Sequence, residues 1–401
     1  MTLSHNKLPF APADILLPKT DHSKWAVIAC DQFTSEPEYW NECEAIVGSE
    51  PSALRIILPE LYLEDDPDGR AANIRRAMEE YLASGIFTEY KNAMIYVERT
   101  LGDGRVRRGL VGAVDLEAYD YSKGAKSAIR ATEGTVLERI PPRVKIRSGA
   151  PIESPHIMIL IDDKERSVIE PLAGMKLEVV YDFDLMLGGG HLKGALLTAE
   201  AQESVLSALE VLSEKSEMLF AMGDGNHSLA TAKTCYEADK AANSPSAALS
   251  RYALAEIVNI HDEALEFEPI YRVLFGADEA EFISEFEKVC VSDSAQKVEL
   301  ITVSGTKTCC LNPTSALTVG SLQAFLDGYV RSHPGVKVDY IHGEDSVKKL
   351  VSDGNIGFIF DGMTKDELFP SVIADGALPR KTFSMGDARD KRYYMECRKV
   401  K

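Results

Sequence analysis

One stretch constrains the fold more than any other: Glu217-Met-Leu-Phe-Ala-Met-Gly-Asp-Gly-Asn-His-Ser-Leu-Ala-Thr-Ala-Lys233. Met218 to Met222 is a short apolar run, the pattern of a buried strand. Gly223-Asp224-Gly225 reads as a turn, and from Ser228 the period becomes helical, with Leu229, Ala232 and Tyr236 on one face. A strand that ends in a glycine turn and opens a helix aims backbone N–H groups and the positive helix end at one spot, which suits an anion. Asp224, Asn226 and His227 crowd that corner. A tight turn with polar caps would show the same pattern.

The rest of the chain alternates short apolar runs with amphipathic segments, which predicts an α/β protein built on a mixed sheet. Trp25 to Cys30 reads as a strand, followed by Asp31-Gln-Phe-Thr-Ser35 and a helix near 36–46; the polar run is either a ligand position at the strand end or a cap made by Ser35. Residues 1–35 otherwise read as extended, since Pro9, Pro12 and Pro18 oppose a helix. An amphipathic helix is expected over 70–83. Two strands, 93–99 and 105–114, flank the hairpin signal Gly102-Asp103-Gly104. Arg105-Val-Arg-Arg108 reads as a solvated strand face. Arg130, Arg139, Arg143, Lys145 and Arg147 form the densest basic island, either an anion-concentrating patch or a loop that pairs with surface acids. His156 opens a further strand, as a structural residue or a ligand contact, and Gly188-Gly-Gly-His191 is either a turn where backbone approaches a ligand closely or a plain hairpin turn. From about Gly276 a second α/β unit begins. The expected division is 1–275, holding the site, and 276–401, packed on it, with the tail around Tyr393-Tyr394 folded back.

Composition limits the partners. A net charge of −19 argues against nucleic acid, whose phosphates need Lys and Arg. No apolar run approaches the ~20 residues of a membrane span, so no membrane partner is expected. Seven scattered cysteines lack metal-ligand spacing and give no reason to assign a metal site. Together with the absence of a visible signal peptide they fit a reducing cytoplasm.

Several of these short motifs, in the same order, resemble the family catalogued as domain of unknown function 1015, whose members carry Asp-Gly-His-His-Arg after a strand. Asp224, Gly225 and His227 match, while Asn226 and Ser228 stand where the family has His and Arg. In Ala131-Thr-Glu-Gly-Thr135, Glu133 and Thr135 match a His-Glu-Arg-Thr motif. Pro269 and Arg272 match a Pro-Thr-His-Arg element, Pro379, Lys381 and Thr382 a Pro-x-Lys-Ser/Thr element, and His191 a family His. The signature is in turn similar to the phosphate loop of the ParB/sulfiredoxin superfamily, which includes nucleotide-dependent free-serine kinases.

The resemblance implies a ParB/sulfiredoxin-like core and a nucleotide-dependent small-molecule phosphotransferase. Gly223, Gly225, Asn226 and Ser228 would cradle phosphate. Asp224 would act as base or hold Mg²⁺ beside a nucleoside phosphate, His227 would bond the transferred group, and Glu133 would be the second carboxylate. Arg272 or Lys381 would supply positive charge. With His191, these residues are expected to line one cleft. Ser228 cannot make the bidentate clamp of an Arg, which favours a second reading: a non-catalytic nucleotide- or metabolite-binding regulator. A third is a hydrolase using Asp224 and His227 as an acid–base pair. Whether the chain is an enzyme, its substrate and its oligomeric state stay open at this point.

Overall fold

The apolar run 218–222 ends in a buried strand, Phe220–Asp224, whose Phe220, Ala221 and Met222 are at most 1% exposed. It belongs to a ten-stranded mixed sheet in a computed structural model that describes residues 8–401. Residues 1–7 of the stretch expected to be extended lie outside the described residues. The strand order is Glu178–Asp184, His191–Leu196, Ile95–Thr100, Val106–Asp115, Tyr252–Asn259, Met158–Ile161, Phe220–Asp224, Ile129–Arg130 and Tyr119–Asp120, with Phe10–Ala11 beside Val106–Asp115. Phe220–Asp224 runs antiparallel to Met158–Ile161 and parallel to Ile129–Arg130. The mixed α/β class expected from the sequence is the one found.

Two compact units divide the chain. The first holds residues 1–131, 135–265 and 387–401; the second holds 132–134 and 266–386. The second is built on strands around Phe267–Phe275, which pairs with Lys337–His342 and Ile356–Phe360, with helices Glu279–Phe286, Thr318–Ser332, Glu344–Ser352 and Lys365–Asp375. Among the described residues no helix is long and apolar enough to cross a membrane.

Two local expectations need correction. Trp25 to Cys30 is not a regular strand: His22–Trp25 is a helical turn, and only Ile28 forms an isolated bridge, to Tyr393. The segment is apolar because it is core, with Trp25 through Ala29 at 0% exposure. Its backbone bonds the returning C-terminal segment at Ala29–Arg392 and Tyr394–Val27. Ser35 does not cap the next helix, which starts at Pro37 after an N-cap Glu36 without a side-chain bond.

Nor is Arg105–Arg108 a solvated face throughout, since Arg105 is partly exposed but Arg107 is not. Arg107 is 4% exposed and donates to the Asp390 carbonyl, as the buried Arg99 does to that of Arg389. Arg392 completes this anchoring. It bonds Glu256 Oε2 at 2.9 Å and Glu396 Oε2 at 2.6 Å, with all three side chains at most 6% exposed. Buried charges persist only when paired in this way. The C-terminal tail therefore folds back as expected, and it is held by arginines as much as by Tyr393 and Tyr394.

Candidate functional site

Helix Asn226–Ala241 begins directly after Asp224, with Gly225 as N-cap at φ 75° and no side-chain cap. Glycine is required there twice over. The left-handed backbone disfavours a Cβ, and a Cβ would lie 3.0 Å from Ile157 Cα. The turn draws Asp224 back over its own helix, where Oδ1 accepts the Gly225 N–H at 2.8 Å. Oδ2 is buried without a hydrogen bond, and its nearest cation is Lys391 Nζ at 3.8 Å. One residue into the helix, His227 Nε2 is also buried and unpartnered. Buried polar atoms left open are unusual in a native fold, where such atoms nearly always find partners.

The charges around them are mixed. Burial, then the positive charges of Arg143 and Arg139, push the His227 imidazole down to about 4, so it is neutral at pH 7. Asp31 lies across the corner. Burial raises its carboxyl, but His156, Gln32 and Lys391 outweigh this and hold it below the usual carboxylate range. His156 Nε2 is 3.9 Å from Asp31 Oδ2, and its Nδ1 is 2.7 Å from the Tyr394 hydroxyl. That hydroxyl also accepts the Cys30 N–H at 3.2 Å, so it ties the imidazole to the backbone before Asp31. Burial and the nearby Asp31 push the Cys30 thiol up to about 12, so it is a protonated wall and not a nucleophile.

A cavity of about 130 Å³ adjoins this corner. Its polar side carries Arg143, His156, Ser228 and Thr231; its apolar side includes Ile57, Leu58 and Met78. Most of the basic island is already paired: Arg130 with Glu217, Arg143 with Glu60, Lys145 with Asp68 and Arg147 with Glu153.

The remaining expected site residues form two groups. Glu133, Arg272 and Lys381 come together in the second unit. Arg272 is 0% exposed and donates to Gln323 and to the Ile270, Lys381 and Arg380 carbonyls, with its face on Tyr340 at 4.8 Å. Glu133 accepts the Thr382 N–H at 3.4 Å; burial raises its carboxyl against the pull of those N–H groups and of Lys381 and Arg272. These three motifs thus build one polar hub around 379–382. His191, on the first unit's sheet, stands five strands from Asp224 and lies between Asp182 Oδ1 at 2.6 Å and Asp184 Oδ1 at 2.7 Å. Of the other residues here, the polar run from Asp31 and the lone His156 were readable from the sequence as possible ligand contacts, whereas Lys391 carried no signal.

Fold and corner together describe a mixed α/β protein with an open, partly buried polar site at a strand-to-helix turn. The chain belongs to the family described as Protein of unknown function (DUF1015), whose model matches residues 9–329. No curated protein matches it. Among solved structures, it is similar to free serine kinase in complex with AMP, at 11% identity over 72% of this chain and 91% of that one, with a TM-score of 0.40. A conserved hypothetical protein from Pyrococcus furiosus has 11% identity over 72% and 94%, with a TM-score of 0.37. SbnI from Staphylococcus aureus has 9% identity over 69% and 82%, with a TM-score of 0.35. Likenesses this distant say nothing about this chain's ligands.

Proposed function

We propose that the Asp224–Ser228 corner binds a phosphate-bearing small molecule, a nucleotide foremost, and that the protein transfers its phosphoryl group to a small acceptor. The observation that carries this is the pair of buried, unpartnered atoms, Asp224 Oδ2 and His227 Nε2, at the start of a helix. The positive charge that keeps His227 neutral, from Arg143 and Arg139, would also favour an anion. First-turn N–H groups would hold phosphate oxygens, and Ser228 and Arg143 would guide the rest of the ligand into the cavity. Asp224 Oδ2 is the natural acceptor of a substrate hydroxyl proton. It also fits a single carboxylate ligand of Mg²⁺, which keeps its waters and substrate phosphate as other ligands and would neutralise phosphate charge.

The acid–base hydrolase reading is weaker on the same geometry. A base works best near the operating pH, and an imidazole held at about 4 is far below it. The binding-only reading is favoured by Ser228 and by the Glu60 partner of Arg143. Phosphorus NMR of ATP and ADP with a pool of small hydroxyl compounds separates the two. The transferase reading expects transfer by the natural protein and a loss of at least about 100-fold in Asp224→Asn with nucleotide affinity kept. Tight binding without turnover across the pool would leave the regulator, and no nucleotide binding at all would sink both.

A further inference from the structure

The second unit holds a group of side chains with no role in that chemistry. Helix Glu279–Phe286 presents Glu281 and Glu285 one turn apart, so both carboxylates leave one face. His333 ends helix Thr318–Ser332 opposite them. One ligand atom from each residue lies within 4.8 Å of the others. His333 Nε2 is 3.6 Å from Glu281 Oε1 and 3.9 Å from Glu285 Oε1.

The imidazole is oriented from behind. Its Nδ1 is 2.8 Å from the Tyr329 backbone carbonyl. A carbonyl only accepts, so Nδ1 carries hydrogen, and in the neutral ring the Nε2 lone pair points at two carboxylates. An acceptor facing two acceptors is incomplete until a proton or a cation stands between them. A backbone carbonyl behind the far ring nitrogen is the partner that metal-ligating histidines use to fix tautomer and direction.

The scaffold is also rigid. The His333 ring stacks on Tyr329 at 3.9 Å and 16°, and Tyr329 meets Phe282 edge-on at 5.0 Å. Phe282 adjoins Glu281 on the same helix, and it and Tyr329 are 0% and 2% exposed. Both sides of the triad are thus tied to one buried aromatic contact. Tetrahedral zinc with bonds of about 2.0–2.2 Å spaces its ligand atoms roughly 3.3–3.5 Å apart. The present 3.6 and 3.9 Å need only small rotations of the glutamates, whose side chains are 57% and 38% exposed.

We propose that Glu281, Glu285 and His333 bind a divalent transition cation, with zinc as the best fit, and clip the two helices together. Two carboxylates and one imidazole suit zinc or manganese; magnesium prefers oxygen alone. Calorimetric titration of Zn²⁺ into the metal-stripped full chain tests this, with Mg²⁺ as the control. The natural protein should bind zinc at this site and melt at a higher temperature with it, and Mg²⁺ should do neither. Glu285→Gln should weaken zinc at least about tenfold, and the double change Glu281→Gln, Glu285→Gln should abolish that binding event and the melting shift. These glutamines keep size and exposure, so they decide the matter even if His333→Ala unfolds the second unit. Absence of zinc binding, or affinity within twofold of the natural protein in the double variant, would reduce the triad to a histidine–glutamate ion pair.

Discussion

Acidification should destabilise the first unit through His227 in particular. An ordinary histidine titrates near 6.5, and in the fold burial, Arg143 and Arg139 hold His227 at about 4. Because the folded value is depressed, the neutral form stabilises the fold above the unfolded value. That contribution is lost as pH falls, and the loss is complete below about 4. Between pH 7 and pH 5 the unfolded chain takes up most of a proton that the fold refuses; the ring is only partly buried, and with solvent screening the cost is about 1 kcal/mol. Other groups titrate in the same range, so the readout is a difference. Denaturant unfolding at pH 7, 6 and 5 should show the natural protein losing about 1 kcal/mol more than His227→Gln. Proton NMR of the His227 ring should place its midpoint near 4, and should move it upward when phosphate is added. A midpoint near 6.5, with parallel pH profiles for the two proteins, would mean that the ring is hydrated and the electrostatic account of the corner is wrong.

Other outcomes follow from the same geometry. Arg392→Met leaves Glu256 and Glu396 buried without their cation, and should cost about 3–5 kcal/mol in thermal or denaturant unfolding, far more than Arg105→Met on the exposed hairpin. Ser228→Arg lines the cavity with the guanidinium that the family signature carries, and should tighten inorganic phosphate binding about tenfold or more by calorimetry. An unchanged affinity would mean that the loop does not face the anion. His191→Ala should leave nucleotide affinity within about twofold, since His191 stands five strands from Asp224.

Elements whose own residues decide their conformation were legible in the sequence. The Phe220–Asp224 strand and the Asn226–Ala241 helix follow from an apolar run, a glycine turn and a helical period. The helix expected over 70–83 spans Pro67–Ala83, and the strand expected over 105–114 spans Val106–Asp115. What was illegible depends on partners remote in sequence. An arginine on an alternating strand looks solvated until the backbone carbonyls it serves are known, as at Arg99 and Arg107, which bond residues nearly three hundred positions away. Arg272 carries a family-like motif, but its environment is a set of carbonyls that only the fold assembles. Division into units was hidden for a related reason. Residues 132–134 and 387–401 each join a unit other than the one that most of their neighbours in sequence belong to, and composition along the chain has no signal for such a return. At the candidate site, Asp224 and His227 were readable because they share one turn. Lys391 and His156 reach it from the tail and from the segment before Met158–Ile161.

Whether the turn after Phe220–Asp224 is a ligand site or only a turn is decided by calorimetric titration of ADP into the natural protein and into Asp224→Asn and His227→Ala, at pH 7.5 with and without Mg²⁺. The natural protein should bind saturably. Asp224→Asn should bind at least as tightly without Mg²⁺, because a repelling carboxylate is gone, and should lose any gain from Mg²⁺. His227→Ala should bind more weakly by about tenfold, the worth of a buried hydrogen bond. Absence of binding by the natural protein, or identical isotherms for all three, would contradict it.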